Sequence, residues 1–198
     1  YLSDILPTGY EVGVLNGRVT PGDVVAVVGA GPVGLSAIAG AQLYSPREVI
    51  AVDLSDARRE WAVHFGAHRA VSPDEALAVV EDRTGGLGAD VVIEAVGVPE
   101  TFELCTQLVR PGGHVANVGV HGRPASLHLE TLWIKNVTIT TGLVDTYSIP
   151  TLLSLIEVGR IEPVRFTTHR FEMHDVMRAY DTFGRAAETD AIKVTLTA

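Results

Sequence analysis

The sequence has one cysteine, Cys105, among 198 residues. One thiol cannot build a disulfide framework or a cysteine-lined metal lobe, so a reduced, cytoplasmic setting is expected. Long apolar runs are also missing. Stretches such as Val24–Val28 are far too short to span a bilayer. Tyr1–Ile5 carries no basic stretch leading into an apolar one, so no secretory signal is expected. Basic residues are few: 15 Lys and Arg stand against 24 Asp and Glu, for a formal charge of −9. That balance excludes a basic stripe for nucleic acid and is read as solubility. The chain begins with Tyr1 rather than Met, and we expect it to be a piece of something longer.

What is there is apolar material in a regular rhythm. With 46% hydrophobic residues the chain can bury a core. Strands are expected at Val24–Val28, Val49–Val52, Ala70–Val71, Val91–Ala95, Val115–Val118 and Val137–Thr141. Helices are expected between them, at Val33–Leu43, Asp56–Phe65, from Pro73 to before Gly85, and at Glu100–Val109. Ser72-Pro73-Asp74-Glu75 opens the third of these with a capping box, and Pro111-Gly112-Gly113 is expected as a turn. Alternating strands and helices mean an α/β fold with a doubly wound, six-stranded parallel sheet. After about residue 145 the rhythm changes. A helix at Ile149–Val158 is followed by strands at Phe166–Phe171 and Ile192–Leu196 flanking a helix from Asp175 to Phe183.

Gly29-x-Gly31-x-x-Gly34 follows the first strand and opens a helix. Gly29 permits the tight turn, Gly31 lets backbone approach a pyrophosphate, and Gly34 lets helix pack on sheet. The helix N-terminus then offers free N–H groups and partial positive charge to phosphates. Asp53 ends the second strand, where a carboxylate accepts bonds from an adenosine ribose and repels the extra phosphate of NADP. The unit reads as a Rossmann dinucleotide site, with NAD favoured. Capping of the next helix is the alternative role for Asp53, although Ser55 and Asp56 stand ready for it. S-adenosylmethionine and FAD proteins share similar turns. Gly85-Gly86-Leu87-Gly88 has the wrong polarity for a phosphate cradle, since it follows a helix and precedes a strand.

The motifs Asp4-Ile-Leu-Pro-Thr8-Gly-Tyr, Gly29–Gly34, Asp53, Glu94-Ala-Val-Gly97, Pro111-Gly-Gly113 and Asn117-Val-Gly-Val-His-Gly122 together resemble zinc-dependent alcohol dehydrogenases of the medium-chain dehydrogenase/reductase superfamily. The resemblance implies two parts. Residues 1–145, with a short lead at 1–20, match a coenzyme domain. Residues 146–198 match a tail that returns to a catalytic domain whose N-terminal half is not in this chain. It also implies roles. Asp4 matches a catalytic-zinc ligand and Thr8 a residue beside the nicotinamide. Pro32 and Val33 lie in the glycine turn, with Val33 packing on the nicotinamide ring. Arg58 matches a basic residue near the adenosine ribose. Val96, Val118, Gly119 and Val120 match walls of the adenine and nicotinamide pockets, and Lys193 a basic residue reaching the pyrophosphate. For Val33, Val96 and Val118 plain core packing is the competing role, and for Arg58 a solvated helix charge.

The implied activity is oxidation of an alcohol to an aldehyde or ketone by hydride transfer to NAD, with zinc held by the full-length protein. The chain alone is expected to bind NAD(H) without turning over alcohols. The competing reading is a stand-alone dinucleotide- or S-adenosylmethionine-binding module. The seven histidines form no metal-ligand set by spacing, and Cys105 is expected in the core. The strand at 137–141 matches an edge that pairs with a second copy, which implies a homodimer. Neither nucleic acid nor membrane is expected as a partner.

Overall fold

The computed structural model describes residues 1–186 and 188–198. Six parallel strands form the main sheet: β1 (Val24–Val28), β2 (Glu48–Val52), β3 (Arg69–Val71), β4 (Ala89–Glu94), β5 (Val109–Asn117) and β6 (Thr138–Thr141). Their order, β3-β2-β1-β4-β5-β6, is that of the Rossmann fold. β1 and β2 are buried along their whole length, which explains the unbroken apolar runs Val24–Val28 and Val49–Val52, and the buried Glu48 that opens β2 is paired with Arg69 and Arg83.

Alternate residues of each strand feed two cores. On one face Val25, Val27, Val49 and Ala51 pack under α2 (Pro32–Gln42) and α3 (Asp56–His64). On the other, Val24, Ala26, Ile50 and Val52 pack under α4 (Pro73–Thr84) and α5 (Pro99–Leu108). The sequence explains the helix starts. Ser55 accepts the Arg58 N–H at the head of α3. Glu75 accepts both the N–H and the hydroxyl of Ser72 at the head of α4. Cys105 is buried beneath α5, as expected.

Two local expectations are corrected. Pro111-Gly112-Gly113 is not a turn between helix and strand. It lies inside β5, where the register against β4 shifts between Ala89 and Val91. The proline and the left-handed Gly112 (φ +71°) are accommodated as an irregularity within the strand. The lead at 1–20, where the sequence pattern gave no helix, is largely helical. A short turn, α1 (Ile5–Pro7), runs into a π-helix at Thr8–Leu15 that buries Tyr10, Val12 and Val14. It packs on α2 by reciprocal glycines: a Cβ on Gly9 would lie 2.7 Å from the Ala37 nitrogen, and one on Gly40 would lie 3.2 Å from Val14.

After the short α6 (Leu129–Leu132), the C-terminal segment contributes α7 (Ile149–Glu157), then a separate two-stranded parallel sheet of β7 (Thr167–Glu172) and β8 (Lys193–Thr197) with α8 (Val176–Gly184) between them. Leu152, Ile161, Phe166 and Ile192 of this segment join the core above α2 and α3. Among the described residues no helix is long and apolar enough to cross a membrane.

One buried carboxylate fastens the tail to the N-terminal helix. Glu11 is only 4% exposed. It accepts the N–H and hydroxyl of Ser148 at 2.9 and 2.5 Å, and the N–H groups of Thr146 and Asp145 at 3.2 and 3.3 Å. Burial pushes its carboxyl up, but the Ser148 bonds and the other N–H groups outweigh this and hold it below the ordinary range. A group depressed in the folded state stabilises above its unfolded pKa and loses that contribution as pH falls through the folded value. Glu11→Gln is therefore expected to cost about 2–3 kcal/mol at neutral pH. In chemical denaturation the gap to wild type should close as pH drops below the ordinary carboxylate value of 4.5. A gap independent of pH would overturn this account.

Candidate functional site

The strand order reverses between β1 and β4, and in such sheets ligands sit outside the carboxyl ends of the strands at that point. Three turns meet there. The first is the glycine turn. Gly29 has φ +99°, and a Cβ on it would strike Val96 Cγ2 at 2.6 Å and the Ala95 carbonyl at 3.0 Å. Gly34 faces Gly29 so closely that a Cβ would fall 1.8 Å from the Gly29 oxygen. These two glycines are required by the protein itself.

Gly31 is different. Its φ is −73° and it caps the eleven-residue α2, a conformation open to any residue. A Cβ there would meet only one neighbour within 4 Å, the Arg58 guanidinium at 3.8 Å. Neither backbone strain nor packing demands glycine at this position. The room it leaves, at a helix N-terminus and beside a guanidinium, has the chemistry of a phosphate cradle. The residues present therefore fit a dinucleotide pyrophosphate. Pro32 begins α2, and Val33 beside it is half-buried.

Asp53 is half-buried and ties the turns together. Its Oδ2 accepts the Ala30 N–H at 2.8 Å and its Oδ1 accepts the Ser55 N–H at 2.9 Å. The capping role falls to Ser55, so Asp53 is held beside the glycine turn with lone pairs left for ribose hydroxyls. Arg58 extends from α3 toward Gly31, which brings Gly31, Asp53 and Arg58 into one group.

The second and third turns follow β4 and β5. Val96 is 48% exposed and Val120 is 88% exposed, so both present apolar surface beside the cleft. Val118 is buried and belongs to the core. Gly119 and Gly97 pack backbone to backbone: a Cβ on Gly119 would fall 2.2 Å from the Gly97 nitrogen. Leu54, 86% exposed next to Asp53, is a further apolar surface that sequence reasoning missed. Sequence reasoning also missed the polar group beneath the last two turns, in which Glu94 and Asn117 are buried and His121 half-buried. Glu94 was quoted only as part of a motif. Its signal was a carboxylate ending an otherwise apolar strand.

Asp4 and Thr8 lie together, with the Thr8 hydroxyl 3.1 Å from Asp4 Oδ1. They reach the glycine turn through Gly9, whose Cβ would lie 2.7 Å from the Val33 carbonyl. Lys193 lines a cleft of about 580 Å³ with Asp4, Tyr1 and Arg170, on the Asp4 side rather than against Gly31. Among the described residues no group of three or more His, Cys, Asp or Glu side chains is placed to hold a metal ion. A catalytic zinc needs three protein ligands, so Asp4 alone does not make a metal centre.

The comparisons with known proteins agree with this geometry. A family model described as "Zinc-binding dehydrogenase" matches residues 32–157. An alcohol dehydrogenase of Cupriavidus necator is 34% identical over 186 residues, which is 91% of this chain and 50% of the relative. Among solved structures, zinc dependent alcohol dehydrogenase 2 from Streptococcus pneumonia superposes with a TM-score of 0.94 at 46% identity, covering 98% of this chain and 57% of that one. Alcohol dehydrogenase TADH from Thermus sp. ATN1 gives 0.92 at 36% identity, covering 99% and 58%. The chain thus spans about half the length of the relatives it matches. The match takes in α2 and every strand from β2 to β6, and it does not favour a methyltransferase or flavin reading of the glycine turn. On its fold and on these likenesses, the chain belongs to the zinc-binding dehydrogenase family.

Proposed function

We propose that this chain is the NAD(H)-binding part of an alcohol dehydrogenase. The observation that carries this is Gly31: the glycine whose side-chain space the protein leaves open sits at the N-terminus of α2 and beside Arg58. The backbone N–H groups of that turn and the Arg58 guanidinium hold the pyrophosphate. Asp53 accepts from the adenosine ribose and disfavours a phosphate there, which selects NAD over NADP. Leu54, Val96 and Val120 offer apolar surface to the flat rings. The bound nicotinamide supplies a hydride acceptor; this chain's residues supply its position and exclude water from its face.

In the longer protein the reaction is oxidation of an alcohol to an aldehyde or ketone. Thr8 stands at the nicotinamide end beside Asp4, and Lys193 of the tail lines that same Asp4 side of the cleft, away from Gly31. Zinc belongs to that longer protein, with Asp4 as one of its ligands. Residues 146–198 return to its catalytic domain. The reading places the protein in the cytoplasm, with neither nucleic acid nor membrane as a partner. β6 ends the sheet with an unpaired edge, and Leu129, Trp133 and Ile134 expose apolar surface in the segment before it. A second copy covers that edge through strand 137–141.

Fluorescence titration tests the cofactor assignment. The chain should bind NADH in preference to NADPH, and Asp53→Ala should narrow that preference about tenfold or more, the scale of one charged hydrogen bond. Equal affinity for the two in wild type would refute the NAD choice. Gly31→Ala should weaken NADH binding about tenfold while leaving the melting temperature near wild type, because the new Cβ would meet only the Arg58 guanidinium, at 3.8 Å. Comparable loss of stability would mean that Gly31 serves the fold instead. Light scattering at high concentration should return the mass of a dimer, and a monomer would remove the edge pairing.

A further inference from the structure

Glu94 is a fully buried carboxylate, and it holds both turns on the far side of the switch point from Asp53. Its side-chain Oε1 accepts the N–H groups of Val96 and Gly97, each at 2.9 Å, and the Thr101 hydroxyl at 2.7 Å. Its backbone carbonyl accepts the N–H groups of Val118 and Gly119 at 2.8 and 3.1 Å. One residue thus fixes the turn after β4 with its side chain and the turn after β5 with its main chain.

The other carboxylate oxygen, Oε2, is buried without a hydrogen-bond partner. His121 Nε2 lies 3.6 Å from it. That nitrogen is engaged elsewhere. Asn117 donates its Nδ2–H to the Gly119 carbonyl at 3.0 Å, which turns its Oδ1 toward His121. His121 Nε2 therefore carries a hydrogen and donates it to Asn117 Oδ1 at 2.9 Å. The remaining ring nitrogen, Nδ1, is buried and unpartnered as well. Phe102 packs edge-on against the ring, 6.0 Å between centroids. Two buried polar atoms left unpaired side by side is a costly arrangement. A movement of under about 1 Å in the turn that carries His121 would bring Nε2 within bonding range of Glu94.

We propose that His121 is a positioning residue for the dinucleotide: it donates to Asn117 in the free chain and to Glu94 when the nucleoside beyond the switch point presses on Val96 and Val120. This rests on the dinucleotide reading above. The location predicts a selective effect. Asp53 ends β2, on one side of the reversal, and takes the adenosine. Glu94 and His121 lie under the turns of β4 and β5, on the other side, and serve the second nucleoside.

The experiment compares two ligands on the full chain, NADH and 5′-AMP. His121→Ala should weaken NADH binding about tenfold, as expected for one lost charge-assisted hydrogen bond, and leave AMP binding unchanged. His121→Gln, which restores a donor near the same place, should recover most of the loss. In wild type the imidazole Nε2–H resonance should shift on adding NADH and stay in place on adding AMP, and Glu94→Gln should abolish that shift. Equal weakening of both ligands, or of neither, would overturn the role of His121 while the dinucleotide reading stands. A wild-type chain that binds neither ligand would overturn both.

Discussion

Backbone crowding at the carboxyl end of the sheet is the constraint on which the rest depends. Gly34 sits on the Gly29 carbonyl, Gly29 lies under Ala95 and Val96, Gly97 abuts Val120, and Gly119 abuts Gly97. Through these contacts the turns after β1, β4 and β5 form a continuous backbone surface in which no Cβ has room. Turns packed this closely cannot give their N–H groups to water. Two carboxylates take them instead: Asp53 accepts Ala30 and Ser55, and Glu94 accepts Val96 and Gly97. Each carboxylate ends or follows a strand buried on both faces, so its position is set by the sheet rather than by the loop it serves.

Against that crowding, Gly31 is informative because it is not crowded. A glycine that the chain does not need for itself points to a ligand, whereas Gly34 would be required with or without one. The same contrast separates the apolar residues. Val118 was a candidate pocket wall, and it is core. Val96 and Val120 were candidates of the same kind, and they are exposed. Apolar exposure directly beside a phosphate-shaped turn is what a dinucleotide ring would cover.

Much of this was legible in the sequence, for a physical reason in each case. Strands buried on both faces are written as unbroken apolar runs, so β1 and β2 stood out. The glycine turn and Asp53 stood out because their spacing is dictated by a ligand of fixed size. The N-terminal helix did not. A π-helix has neither the 3.6-residue period nor the alternation of a strand, and Gly9–Val14 is buried all round, Glu11 included. Pro111-Gly112-Gly113 carried a turn signal that the neighbouring strand overrode, since β4 supplies pairing on both sides of the irregularity. Asn117 and His121 stood out only as letters of a motif, and their pairing did not, because it depends on how the turn after β5 folds back. Glu94 could have been found from its charge alone: an acidic residue closing an apolar parallel strand needs partners, and the turn that follows is where they must be.

The N-terminal helix changes how the turn itself is held. α2 begins at the glycine turn, and it is pressed on its outer side by Gly9 and, through Gly40, by Tyr10 and Val14. Ser36 of α2 donates to the Leu6 carbonyl at 3.1 Å. Glu11 on that same helix grips the Asp145–Ser148 turn that leads into α7. The N-terminal end of α2 is therefore clamped between sheet and lead, and the lead is anchored in turn by the tail. Thr8 directly precedes Gly9 and Asp4 sits about one turn earlier, so their distance from Val33 is fixed by backbone contact and not by side-chain reach. The chain thus carries, on rigid elements, the relation between the phosphate cradle and the end of the cleft where Asp4 and Thr8 stand. A catalytic half docking on this chain would meet that relation already set.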